Sequence, residues 1–164
     1  MTGTTTGTAV VTLPSDTRIL ITREFNAPRH LVFRAWTEPE LIKRWWSGGH
    51  GEVTVAEVDL RVGGAWRYAL VTPEGYEVAF HGEYREVVAN ERLVCTEAYE
   101  GIPDPDENAA LCTYDFEEEG GRTTLRVLVE HRTREGRDAH IDSGMESGMQ
   151  KGLDLLEEIA VSLA

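Results

Sequence analysis

From Thr17 to Phe25 the chain reads TRILITREF, in which Ile19 and Ile21 alternate with polar neighbours at the period of two that a half-buried strand requires. The period then changes. In NAPRHLVFRAW, Leu31, Val32, Ala35 and Trp36 recur at helical spacing behind an Asn26 cap candidate and an early Pro28. TEPELIKRWW follows with Thr37 and Glu40 in capping-box register and Pro39 in the first turn, where a missing N–H costs little. Two short helices are predicted back to back.

After the glycine-rich SGGHG, six strand-like runs are predicted at about 52–60, 64–71, 76–87, 91–99, 109–116 and 122–131. The turn signals between them are Gly63-Gly64, Pro73-Glu74-Gly75, Ala89-Asn90, the stretch GIPDPDEN and Gly120-Gly121. The chain closes on a helix predicted from roughly Arg137 to Leu163, with Ile141, Met145, Met149, Leu153, Leu156 and Ala160 along one stripe. Residues 1–16, rich in Thr and Gly, are expected to be a flexible tail, leaving 17–164 as a single domain. The pattern thus predicts an α+β fold: a seven-stranded antiparallel sheet wrapped round a long C-terminal helix, with two short helices between strands 1 and 2. A twisted sheet cannot touch a straight helix everywhere, so a cavity is expected between them.

Three glycines spaced four apart, Gly144, Gly148 and Gly152, interrupt the helical pattern, each at a cost of about 1 kcal/mol relative to Ala. Either they let the helix approach a neighbouring element closely, or they leave room for a ligand beside Met145 and Met149, whose thioethers adapt to irregular apolar shapes. The aromatic candidates for the same cavity are Trp45, Trp46, Trp66, Tyr68, Phe80, Tyr84, Tyr114 and Phe116, with Leu153 from the helix. Along YEVAFHGEY, Val78, Phe80 and Tyr84 share one face, which turns His81 toward solvent. In LVCTEAY the parity stays open. If the Leu93 face points inward, Glu97 is an acid on the cavity wall with its pKa raised by burial; otherwise it is a solvated glutamate at a strand end.

Charge and motifs narrow the function classes. Acidic residues number 29 against 16 basic ones, a formal charge of −13 that disfavours nucleic acid and anionic membranes as partners. No apolar run approaches the roughly 20 residues of a membrane span, and the N-terminus lacks a signal-peptide pattern, so the cytoplasm is the expected location. A hairpin folded symmetrically about GIPDPDEN sets Cys95 opposite Cys112, expected as two reduced, buried thiols. Without H-x-x-x-H, H-E-x-x-H, G-x-S-x-G, a P-loop or a dinucleotide fingerprint, no metal, cofactor or catalytic residue is predicted.

The phrases FNAPRHLVFRAWTEPELIKRWW, DLRVGGAWRY, GEYREVVANERLVCTE and HIDSGMESGMQKGLDLLEEI, in this order, resemble the START-like (SRPBCC, helix-grip, Bet v-type) superfamily. The branch they resemble is that of bacterial proteins related to the activator of heat-shock-protein-90 ATPase, over Thr17 to Ala164. The resemblance implies the helix-grip fold and a cavity. It implies no single reaction, because the superfamily includes lipid and polyketide binders, aromatase/cyclases, resistance proteins and co-chaperones. Arg61 with Gly63-Gly64 is similar to the family's R-x-G-G turn, which implies a structural role, with Arg61 free to pair a carboxylate. The leading expectation is a binder of a small hydrophobic or aromatic molecule. The alternatives are a cyclase- or dehydratase-like enzyme with Glu97, His81, Tyr84 or Tyr114 as proton carriers, and a chaperone-activator-like interaction protein. A homodimer through an exposed sheet edge or helix face is left open.

Overall fold

In a computed structural model, which describes residues 9–49 and 51–164, eight strands form one sheet in the order β1-β2-β8-β7-β6-β5-β4-β3, with every neighbouring pair antiparallel. The strands are β1 (Val10–Ser15), β2 (Arg18–Phe25), β3 (Glu52–Val58), β4 (Ala65–Val71), β5 (Glu77–Val88), β6 (Arg92–Tyr99), β7 (Ala110–Glu119) and β8 (Arg122–Glu130). Helices α1 (Arg29–Thr37) and α2 (Pro39–Trp45) connect β2 to β3, and α3 (Arg134–Asp142) and α4 (Met145–Ser162) follow the last strand.

The predicted meander is present, with one strand more than expected. Residues 10–15 are not a tail but edge strand β1, which pairs with β2 from Val10↔Thr22 to Ser15↔Arg18. Its side chains do not alternate: Val10 and Leu13 are 58% and 50% exposed, and Pro14 is a residue tolerated at sheet edges. Ahead of it, Ala9 is buried and exchanges two hydrogen bonds with the Gln150 amide, its N–H donating to Oε1 (2.9 Å) and its carbonyl accepting from Nε2 (2.8 Å). The rest of the expected tail, residues 1–8, lies outside the described residues.

The terminal helix is two helices rather than one. Thr133 caps α3, its hydroxyl oxygen accepting from the Gly136 N–H at 3.0 Å. The break falls at Ser143-Gly144, where Gly144 takes φ +80, a left-handed conformation that L side chains avoid. Two expected caps are also replaced. Pro28, not Asn26, occupies the N-cap of α1, while the Asn26 N–H donates to Glu157 Oε2 on α4 at 2.6 Å. Glu38 precedes α2, because the Thr37 hydroxyl is turned back to donate to the Phe33 carbonyl at 2.7 Å.

Inward-pointing residues alternate along the central strands: Ile19, Ile21 and Phe25 on β2; Leu125, Val127 and Val129 on β8; Cys112, Tyr114 and Phe116 on β7; Leu93 and Cys95 on β6. Leu153, Leu156, Ile159 and Ala160 of α4 are buried against this concave face. Toward the C-terminal half of α4 the space is filled. Phe33 of α1 meets Phe116 edge-on at 5.4 Å, and Arg23 of β2, almost fully buried, pairs with the equally buried Glu157 at 3.1 Å.

Candidate functional site

Toward the N-terminal half of α4 the helix and sheet separate, leaving a cavity of about 620 Å³, within the range of ligand pockets. The helical wall is Met145, Gly148, Met149, Gly152 and Leu153, closed from the side by Trp45 and Trp46 at the end of α2 and by Trp36 of α1. The sheet wall comes from alternate residues: Trp66, Tyr68 and Leu70 of β4, Val78, Phe80 and Tyr84 of β5, and Leu93, Cys95 and Glu97 of β6. Tyr114, Val127, Val129 and Ile21 form its floor. Exposed Ser143, Gly144 and Ser147 flank the mouth with half-buried Ser47 and Thr72.

Of the residues singled out in the sequence as cavity candidates, Phe116 is the one outside this space. It shares the inward face of β7 with Tyr114, but two residues further along the strand it is packed against Phe33 and Trp36. Four of the remaining aromatics form a connected box, with Trp46 against Tyr68 (5.5 Å) and Phe80 (5.8 Å), and Trp66 against Tyr68 (4.7 Å), while Trp45 and Tyr114 both pack on Trp36 (4.9 and 5.2 Å). Gly82 makes room for one of these rings. A Cβ there would lie 2.5 Å from the Trp66 indole nitrogen, which passes over it to donate to the Thr96 carbonyl at 3.2 Å.

The spaced glycines do different things. Gly144 breaks the helix. A Cβ on Gly152 would lie 3.1 Å from the Trp45 carbonyl oxygen, so α4 and α2 meet there closely. Beside Gly148 the chain comes nearer still: a Cβ on Gly48 would fall 2.5 Å from the Gly148 carbonyl oxygen. The close approach is therefore helix to helix end, not helix to strand, and it leaves Gly148 and Gly152 on the cavity wall.

The Leu93 face does point inward, which places Glu97 on the wall rather than at a solvated strand end. Its side chain keeps some accessible surface because it faces the hollow, yet burial alone pushes its carboxyl up to about 7. No hydrogen bond or ion pair reaches that carboxyl among the described residues, and neither Lys nor Arg is among the lining residues. Around it, burial raises the phenols of Tyr68 and Tyr84. Cys95 and Cys112 are directly opposite in register, free and buried; burial pushes the Cys95 thiol up to about 12 and Cys112 higher than its ordinary value.

Sequence reasoning missed Trp36, Cys95 and His140 as lining residues. Cys95 shared the parity of Glu97, so that signal was present. His140 carried none: its ring reaches His131 at 3.0 Å, and burial, then the neighbouring His131, lowers its pKa to about 4, so it is neutral at physiological pH. His81 sits on the other face of the sheet. It bridges Glu100 (2.8 Å) and Asp106, whose hydrogen bond is the main reason its pKa is raised, while Glu100 is held near 2 chiefly by Arg67. It therefore cannot serve the cavity as a proton carrier. Arg61 pairs with Asp59 at 3.0 Å beside Gly63, which has φ +83. Among the described residues no three His, Cys, Asp or Glu side chains cluster as metal ligands, and no helix is long and apolar enough to cross a membrane.

Comparison with known proteins places this geometry. A Rhodobacter sphaeroides crystal structure is similar over 95% of this chain and 99% of its own, with TM-score 0.87 and 24% identity. One from Staphylococcus epidermidis, solved by NMR, covers 93% of this chain and 94% of its own at TM-score 0.78 and 28% identity. An Aeromonas hydrophila solution structure described as an AHSA1-like protein covers 88% and 93%, at TM-score 0.66 and 22% identity. No curated protein matches the sequence significantly. Residues 26–160, most of the chain and all of the cavity wall but Ile21, match the family described as Activator of Hsp90 ATPase homolog 1-like protein. With that match and this fold, the chain belongs to the AHSA1-like family of helix-grip proteins.

Proposed function

We propose that this protein binds a small hydrophobic or aromatic molecule between α4 and the sheet. The observation that carries the reading is the cavity of about 620 Å³, walled by aromatic rings and thioethers and open at the α3–α4 junction. A core that served stability alone would close this space, because unfilled volume costs packing energy. Native mass spectrometry of the purified protein tests it: a non-covalent adduct in the native spectrum, lost on denaturation, is the expected result. Met149→Arg, which sets a charged chain in the cavity, is expected to abolish that adduct in a protein that still folds.

A second reading, an enzyme of the cyclase or dehydratase type, draws on one observation. Glu97, Tyr68 and Tyr114 line the same cavity, and a carboxyl titrating at about 7 can both give and take a proton near neutrality. Turnover of a polyketide-like substrate that disappears in Glu97→Gln would favour it over simple binding. The family description names Hsp90 ATPase activation; under the ligand-binding reading, adding this protein to a bacterial Hsp90 homologue leaves its ATPase rate unchanged.

A further inference from the structure

The cavity wall is chemically lopsided. It contains a carboxyl group, Glu97, with no hydrogen-bond or ion-pair partner among the described residues, and no lysine or arginine that could receive an anion. The other ionisable groups on the wall are uncharged near neutrality: His140 titrates at about 4, and the phenols and the Cys95 thiol are raised by burial. The same sheet wall carries Tyr68 and Phe80, and Trp46 at the end of α2 packs edge-on against both. We infer that the ligand is a hydrophobic organic cation, an aromatic or alkyl amine, whose ammonium pairs with Glu97 while its apolar body lies against Trp46, Phe80 and Met149. This rests on the reading of the cavity as a ligand site and names the class of molecule it selects.

The energetics favour a cation over its neutral and anionic counterparts. Burying a carboxylate is costly, but here the fold itself has already desolvated Glu97, so an arriving ammonium gains the attraction without that half of the expense. Its own lost hydration is offset in part by aromatic faces, which attract cations through their quadrupole. A carboxylate ligand meets like charge and no cationic partner. At long range the charge of −13 draws cations toward the mouth and repels anions.

The proton count makes the inference sharp. An amine with a pKa near ~10 arrives protonated, and pairing requires Glu97 as carboxylate. Below the Glu97 pKa of about 7, binding must expel the carboxyl proton, so affinity falls by about tenfold per pH unit. Above it, affinity is level until the amine itself deprotonates.

Isothermal titration with naphthylethylamine, naphthylethanol and naphthylacetate, which share one ring system, tests this at about pH 8 and again at about pH 5.5. At the higher pH the amine is expected to bind at least about tenfold more tightly than the alcohol, with the acetate weakest. At the lower pH its advantage disappears. Glu97→Gln, nearly isosteric, is expected to erase the preference for the amine at the higher pH. Equal binding of amine and alcohol by the wild type at the higher pH, with both lost in Met149→Arg, overturns the inference and leaves the cavity a ligand site. Binding of none of the three overturns the site reading and the inference together. The wild-type comparison of amine with alcohol at the two pH values tests the preference by itself, so the inference does not depend on either variant folding.

Discussion

The two halves of the interface between α4 and the sheet solve the same packing problem in opposite ways. Met149 and Leu156 lie on one stripe of one helix, roughly 10 Å apart along its axis. Leu156 is fully buried in the core that also holds Phe25, Phe33 and Phe116, and on the same helix Glu157 is paired by the buried Arg23. Around Met149 the helix faces a hollow whose buried charge, Glu97, has no partner. Both halves hold a buried carboxylate, but only one supplies its counter-ion. Stability is therefore concentrated at one end of the groove, and the other is left free to take something from outside.

The sharpest way to break the comparison is to remove the counter-ion from the packed end. Arg23→Met leaves Glu157 buried with the Asn26 N–H and without the guanidinium, which also lies 2.9 Å from Asp154. Loss of one partner of a buried pair costs about 3–5 kcal/mol, to be read from urea denaturation at neutral pH. Arg23→Met combined with Glu157→Leu is expected to cost much less than the two single changes added together, because the penalty lies in the uncompensated charge.

Truncation on the two halves comes next. Leu156→Ala is expected to lose about 2–5 kcal/mol, since the fully packed surroundings cannot collapse onto the space it leaves. Met149→Ala, made seven residues earlier in the same stripe, only widens a hollow that already exists and is expected to cost less than ~1 kcal/mol. Comparable losses from the two would mean that the space beside Met149 is filled in solution.

Glu97→Gln turns the comparison round, because removing the lone charge is expected to stabilise. A carboxyl whose pKa is raised on folding from its usual 4.5 to about 7 holds its proton more tightly in the native state than in the unfolded chain. Native stability accordingly falls as pH rises from about 4.5 to about 7 and is level above that. The glutamine variant escapes this loss. At about pH 8 it should gain ~1–3 kcal/mol over the wild type, the range reflecting a carboxyl that faces a hollow rather than packed atoms, and at about pH 4 it should gain almost nothing. A gain of equal size at both pH values would show that charge is not the cause.

Much of this was legible in the alternation of residues, and the exceptions have physical causes. Parity placed Val78, Phe80 and Tyr84 on one face, and the symmetric hairpin set Cys95 opposite Cys112, as the register shows. The same parity could not separate Tyr114 from Phe116, because which of two inward residues meets the hollow depends on where the helix crosses the strand. Arg23 did leave a trace, standing at the inward position between Ile21 and Phe25 in TRILITREF. Its partner Glu157 lies 134 residues away, beyond any local pattern. β1 was hidden because an edge strand need not alternate.

The break between α3 and α4 was the least legible feature, since three glycines at equal spacing offered no reason to choose among them. Backbone conformation distinguishes them. Gly144 has φ +80, and a Cβ added there meets nothing within 4 Å, so the penalty for a side chain is purely conformational. Gly144→Ala is expected to cost about 1–2 kcal/mol. Gly144→Asn should cost visibly less, because asparagine tolerates the left-handed region through local hydrogen bonding. Because Gly144 also borders the cavity mouth, alanine there presses the chain toward one continuous helix, whereas asparagine keeps the bend. The two variants, compared by thermal denaturation and by naphthylethylamine affinity, therefore separate strain from shape. If both lose stability equally, the bend is not held by the conformation of this one residue. If alanine weakens binding while asparagine does not, the bend itself is what keeps the hollow half of the groove open.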